Sequence, residues 1–175
     1  LKEKYKMNPL TITWAPTMYT DIGWKNLQNW VRSGFDNILV TPNGKVHSTL
    51  VKYAFLNLLN PFQPFILGQR TIGAKFALKY NVKLVMYGEN QAEAHNKIEE
   101  TLNPKLDPKH FTVKNFDKEN IYLSGLSLKE LKENNINEKD LNQYIPIKED
   151  EFLNSRTELY YMSYFKNWSP QSNFY

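Results

Sequence analysis

Leu10-Thr11-Ile12-Thr13-Trp14, set between Pro9 and Pro16, is a run of β-branched and aromatic residues with a proline on either side. That composition predicts a short buried strand, bounded by residues that cannot continue a ladder. A helix is expected next, because Thr20 or Asp21 can cap it and Trp24, Leu27, Trp30 and Val31 recur at helical spacing. Gly34 can take the left-handed conformation that ends it. A second strand is predicted over residues 37–41. Val46, Leu50, Ala54 and Leu58 then repeat every four residues and mark an amphipathic helix that Pro61 and Pro64 bring to a halt. Another helix is predicted over residues 69–80, with Ile72, Phe76 and Tyr80 as its apolar stripe. It leads into residues 82–87, a continuous apolar run of the kind that forms a parallel strand covered on both faces. Strand, helix, strand, helices, strand in this order predicts an α/β fold, a doubly wound parallel sheet with right-handed crossovers.

Upstream of the first strand, residues 1–6 are charged and read as the last turns of a helix whose start is missing, as in a truncated domain. Downstream of Asn96 the composition shifts toward Lys, Glu, Asn and Leu, punctuated by Pro104, Pro108 and Pro146. Residues 1–96 are therefore expected to form the α/β domain and residues 97–175 a mostly helical extension. In that extension Ser127 and Glu130 form a capping box before residues 128–133, and Asn137 with Asp140 can start a further helix. The aromatic tail, Tyr160, Tyr161, Tyr164, Phe165 and Trp168, reads as packing material.

The chain has 175 residues, 41% hydrophobic and 14% aromatic, enough apolar material for a globular core. Its apolar runs are far shorter than the roughly 20 residues that cross a bilayer, so no membrane partner is expected. There is no cysteine, which excludes a disulfide framework, and residues 1–6 lack the apolar core of a signal peptide. The cytoplasm is the expected compartment. The net charge of +4 is unevenly spread: residues 1–96 carry 11 basic and 5 acidic side chains, and residues 97–175 carry 11 and 13. A cationic first half suits an anionic ligand such as ATP, a nucleotide sugar or a nucleic-acid backbone.

In an open parallel sheet, ligands bind beyond the carboxyl ends of the strands. Three stretches occupy such places: Trp14, Ala15, Pro16 and Thr17; Pro42, Asn43, Gly44, Lys45 and His47; and Gly88-Glu89-Asn90-Gln91-Ala92-Glu93. The third is the most informative. Gly88 permits close backbone approach, Asn90 both donates and accepts, and Glu89 and Glu93 are suited to hold Mg2+ or orient an amine. Gln63 and Gln69 lie within an apolar, proline-stiffened segment, residues 62–69, where buried amides need partners. His47, His95 and His110 show no spacing that suggests a metal site or a nucleophile and base, and read as surface or capping histidines. The chain has neither a glycine-rich phosphate loop nor a nucleophile elbow.

Several longer strings resemble the N-acetyl sugar amidotransferase family. They are residues 8–16 (Asn-Pro-Leu-Thr-Ile-Thr-Trp-Ala-Pro), 19–26, 33–37, 61–69 (Pro-Phe-Gln-Pro-Phe-Ile-Leu-Gly-Gln), 87–93 (Tyr-Gly-Glu-Asn-Gln-Ala-Glu) and 161–171. The likeness is greatest to members that act in flagellin modification, in the pseudaminic, legionaminic or related acid pathways, or in O-antigen synthesis. The resemblance implies a PP-loop ATPase fold, related to the adenine nucleotide alpha hydrolases and Rossmann-like. It also implies a Ser-Gly-Gly-x-Asp-Ser loop that grips ATP phosphates and a cysteine-bearing N-terminal region, and residues 1–175 contain neither.

The implied reaction uses ATP and Mg2+ to activate the N-acetyl oxygen of a sugar. Ammonia from a glutaminase partner then displaces it to give an acetamidino group. By analogy with the wider PP-loop group, Thr13, Trp14 and Ala15 would contact adenine, Gly88 and Asn90 the phosphates, and Glu93 the Mg2+. Glu89, Gln69 and Glu93 would then be the catalytic candidates, the first two through sugar or ammonia positioning. Self-association is compatible with this reading, and nucleic acid is not an expected partner. The alternatives are a PP-loop tRNA-modifying enzyme, disfavoured by the absence of a cysteine pair, and a non-catalytic nucleotide- or sugar-binding fragment.

Overall fold

The computed structural model describes residues 2–88, 99, 102–114, 116–117, 120–167, 169 and 171. After a single helical turn, α1 (Lys2–Tyr5), the chain enters β1 (Leu10–Trp14), α2 (Asp21–Arg32) and β2 (Asp36–Val40). The two strands pair in parallel, with Leu10 opposite Asp36 and Trp14 opposite Val40. The local chemistry follows the sequence closely here. Thr20 Oγ1 accepts from Gly23 N–H at 3.0 Å to cap α2, Asp21 sits in the first turn, and Gly34 at φ +87° follows the last turn. The predicted apolar stripe of α2 differs from expectation, since none of its residues is fully buried. Trp30 instead lies flat on Phe35, with ring centroids 4.8 Å apart, and its indole N–H reaches Thr11 Oγ1 at 3.2 Å. Both contacts hold the helix to the flank of the strand pair.

Next come α3 (Gly44–Leu58) and α4 (Gln63–Tyr80). Asn43 Oδ1 accepts from Lys45 and Val46 N–H and so caps α3, whose Leu50 and Ala54 are wholly buried. Leu59, in the left-handed region at φ 53°, ends it. That end falls two residues before Pro61, close to the expected halt, and Pro64 lies in the first turn of α4. There the missing N–H would have no intrahelical partner and the fixed φ is already helical. Residues 63–69 are therefore helix, six residues earlier than the predicted start at 69.

β3 (Leu84–Tyr87) is shorter than the predicted run 82–87, and Leu84 stays 47% exposed, so coverage on both faces is incomplete. Its parallel partner comes from far along the chain. The order after it is β4 (Thr112–Val113), the hairpin β5 (Tyr122–Leu123) and β6 (Leu126–Ser127), α5 (Leu128–Glu133), α6 (Glu138–Leu141), β7 (Ile147–Lys148), α7 (Glu149–Ser155) and β8 (Glu158–Tyr161). β3 pairs with β8, Leu84 opposite Glu158 and Tyr87 opposite Tyr161, and β4 pairs in parallel with β7. On its other side β8 meets the segment around Lys105, where Leu106 N–H donates to Leu159 O at 2.8 Å. The capping box of Ser127 and Glu130 at α5 is present as the sequence indicates.

The result is a mixed α/β protein with small, mainly parallel two-stranded sheets. In the stretch 97–175, expected to be mostly helical, short strands alternate with short helices among the described residues, from β4 to β8. They also share a core with the first half. Trp14, Leu50 and Ile72 belong to one cluster with Leu123, Leu131, Leu141 and Tyr144. Ala74 belongs to a second with Phe111, Phe152, Leu159 and Tyr161. Each fully buried leucine contributes about 2 kcal/mol of burial. Polar ties run between the same parts: Tyr53 Oη donates to Asn134 Oδ1 at 3.0 Å, and Gln63 Oε1 accepts from Ser124 N–H at 3.2 Å. Among the described residues no helix is long and apolar enough to cross a membrane.

Candidate functional site

The carboxyl ends of β1 and β2 lie side by side. Beyond the paired Trp14 and Val40, Ala15 N–H still donates to Val40 O at 2.9 Å, and three residues after Val40, Asn43 caps α3. The amino end of a 15-residue helix thus sits at the strand tips, with Lys45 exposed in its first turn. Thr13 is half-buried, and Asn37 Nδ2 donates to both Thr13 Oγ1 at 3.1 Å and Thr11 Oγ1 at 2.8 Å. The Thr13 hydroxyl is therefore turned toward β2. What Thr13 and Ala15 can offer a ligand is main chain.

Trp14 is only 8% exposed, its indole lying inside the protein. It presses on α4 where Gly68 has no side chain; a Cβ at that position would stand 2.4 Å from two indole carbons. Tyr144 meets the indole edge-on, with centroids 5.8 Å apart at 72°. The indole Nε1 is buried with no hydrogen-bond partner among the described residues, an orphaned donor at the strand tip.

Behind Trp14 stands His47, one turn into α3 and 7% exposed. This corrects its reading as a surface or capping histidine: Val46 and Leu50 on the same helix draw that turn into the core. His47 Nδ1 lies 2.9 Å from Tyr144 Oη. Burial lowers the imidazole below its ordinary 6.5, while burial and the Asp140 carboxylate raise the phenol well above its ordinary 10. Both groups are held in their uncharged forms, so the pair shares one hydrogen bond whose donor is set by which ring nitrogen carries the imidazole proton. Residues 142–144 are in turn pinned to α4. Thr71 Oγ1 lies 3.1 Å from Gln143 O, and Lys75 Nζ donates to Asn142 O at 2.6 Å and Gln143 O at 3.1 Å. Burial pulls Lys75 down to about 8.

The end of β3 rests on the same helix. Tyr87 Oη donates to Arg70 O at 3.0 Å, and a Cβ on Gly73 would meet that hydroxyl at 2.9 Å. Gly88 follows in the open, with nothing within 4 Å of where a Cβ would stand. Thus Thr13, Trp14, Ala15 and Gly88 come at strand ends that share residues 68–73 of α4, and Gln69 lies half-buried in that stretch. Glu89, Asn90, Gln91, Glu93 and His95 lie outside the described residues, as does Trp168. Among the described residues no group of three or more His, Cys, Asp or Glu side chains is placed to hold a metal ion. Sequence reading did not single out Tyr144, Thr71 or Lys75. The signal available was two polar side chains four apart, Thr71 and Lys75, in the mostly apolar helix α4.

Fold and site together define a mixed α/β protein whose parallel strands end against one helix, beside the amino end of another. No protein-family model matches the chain, and no curated protein matches it significantly.

Proposed function

We propose that the chain is the nucleotide-binding α/β part of an ATP-dependent N-acetyl sugar amidotransferase of surface-glycan synthesis. The observation that carries this reading is convergence. Three strings that resemble that family, residues 8–16, 61–69 and 87–93, are far apart in sequence, yet Trp14 from the first packs on Gly68 from the second. Tyr87 from the third bonds to Arg70 O, two residues further along the same helix. In this reading the β1–β2 and β3–β8 ladders are parts of one doubly wound sheet, a view supported by their parallel sense and their shared seat on α4.

The chemistry divides into two displacements. The N-acetyl oxygen attacks the α-phosphorus of ATP and pyrophosphate leaves; ammonia then adds to the activated carbon, AMP departs with the oxygen, and a proton is lost to give the acetamidino group. An amide oxygen is a poor leaving group, and its transfer to AMP makes it a good one. In this reading the main chain of Thr13, Trp14 and Ala15 would contact the adenine, and Gly88 and Asn90 the phosphates. Glu93 would hold Mg2+, which would offset phosphate charge. Glu89 and Gln69 position the sugar or ammonia, which a glutaminase partner supplies. Such a site would need to exclude water, so that the activated intermediate meets ammonia rather than being hydrolysed.

The test is made on the longest natural form of the chain, supplied with ATP, Mg2+, ammonium and a panel of free and nucleotide-linked N-acetyl sugars. The expected products are AMP, pyrophosphate and a sugar in which NH replaces the amide oxygen, read by mass spectrometry. If no sugar in the panel elicits AMP release or an amidine, the reading fails.

A further inference from the structure

A concavity lies toward the carboxyl end of α4, away from the ends of β1, β2 and β3. It measures about 430 Å3 and is bordered by Lys75, Lys79 and Lys148, with Phe116 and Pro146 among its apolar walls and Glu151 as the one carboxylate among the described residues that line it. The volume falls within the range of small-molecule sites, roughly 300–1,000 Å3. Three ammonium groups against one carboxylate leave a surplus of two positive charges at this rim.

Lys75 is held by hydrogen bonds, and the exposed Lys79 and Lys148 rest against rings. Lys75 spends donors on the carbonyls of Asn142 and Gln143, so its head is anchored in the floor. Lys79 Nζ lies over the rings of Phe76 and Tyr80, 5.9 and 5.7 Å from their centroids. Lys148 Nζ lies 5.5 Å from the centroid of Phe116. Cations fixed in advance lose less conformational freedom when an anion arrives. Burial is what draws Lys75 down to about 8, the behaviour of an ammonium whose lost water is not offset by a nearby carboxylate.

We propose that this cleft binds a phosphate monoester with a flat apolar body, its phosphate between Lys75, Lys79 and Lys148 and its body against Phe116 and Pro146. A monoester carries about two negative charges near neutral pH, which matches the surplus at the rim. The site is independent of the strand ends, so it stands or falls separately from the amidotransferase reading.

The probe is phenyl phosphate, titrated into the protein by calorimetry with benzoate as the carboxylate counterpart. The expected result is saturable binding of one phenyl phosphate per chain, weaker binding of benzoate, and a loss of affinity of about tenfold or more in the Lys79→Gln/Lys148→Gln double variant. Both lysines are exposed, so the variant is expected to keep its fold, which circular dichroism checks. Glu151→Gln, which removes the opposing charge, is expected to tighten binding. Absence of saturable binding, unchanged affinity in the double variant, or benzoate binding as tightly as phenyl phosphate would each overturn the proposal.

Discussion

The contact of Trp14 with Gly68 fixes the end of β1 on α4, and Gly68→Ala tests it directly. An alanine Cβ would stand 2.4 Å from two indole carbons and 2.8 Å from a third, where ordinary contact is about 3.5 Å or more. The indole has little room to retreat, being 8% exposed and flanked by Tyr144. Overpacking of a core costs about 1–3 kcal/mol, and three crowded ring atoms place this substitution at the upper end. Against it stands a gain of about 1 kcal/mol from replacing glycine with alanine inside a helix. The net expectation is a loss of about 2 kcal/mol, which for 175 residues lowers the melting temperature by about 4–8 °C. Gly44→Ala, at the first position of α3 with nothing within 4 Å of its Cβ, is the control and is expected to be neutral or slightly stabilising. Thermal and urea melts of both variants, followed by circular dichroism, give the comparison. A Gly68→Ala protein as stable as the parent, with the control behaving as stated, would show that the indole does not rest on that helix.

Three further outcomes are expected. His47 is held below its ordinary 6.5 by burial, so the native state takes up its proton less readily than the unfolded chain; stability falls as pH drops below about 6.5, and His47→Gln flattens that fall in urea melts between pH 7 and 5. Lys75, lowered from 10.5 to about 8, works in the opposite range: the penalty for its buried charge is full below pH 8 and relieved toward pH 10.5, so stability rises with pH by up to about 3 kcal/mol. Lys75→Met should remove that rise, and an unchanged profile would place the ammonium in solvent. Asn43→Ala, which deletes the side-chain acceptor at the start of α3, is expected to cost about 1 kcal/mol in the same melts.

Where the fold was legible in the sequence, the signals were local. Thr20 and Gly34 bracket α2, Ser127 and Glu130 open α5, and the β-branched run between two prolines forms β1, because each of these choices is decided within a few residues. Pro64 misled over where α4 begins, because a proline reads as a stop, although in a first turn it costs nothing. The parallel partner of β3 was hidden for another reason: Glu158-Leu159-Tyr160-Tyr161 looks like part of an aromatic tail, and only the finished sheet reveals it as a strand. His47 carries no pattern of its own, and the phenol that defines its environment is 97 residues away. The sequence put the carboxyl ends of β1, β2 and β3 within a residue of where they fall, but the inward turn of the Trp14 indole follows from packing against Gly68, which no periodicity encodes.

Tyr87 and Tyr161, opposite each other in the β3–β8 pair, are separated by 74 residues. During synthesis at about 5–20 residues per second, β3 therefore leaves the ribosome several seconds before its partner exists. For that interval its backbone edge and the side chain of Leu84 are open to any other extended chain, and the nascent polypeptide is the form most in need of a chaperone. Premature termination upstream of Glu158 would make that exposure permanent, so shortened products are expected in inclusion bodies or cleared by proteases.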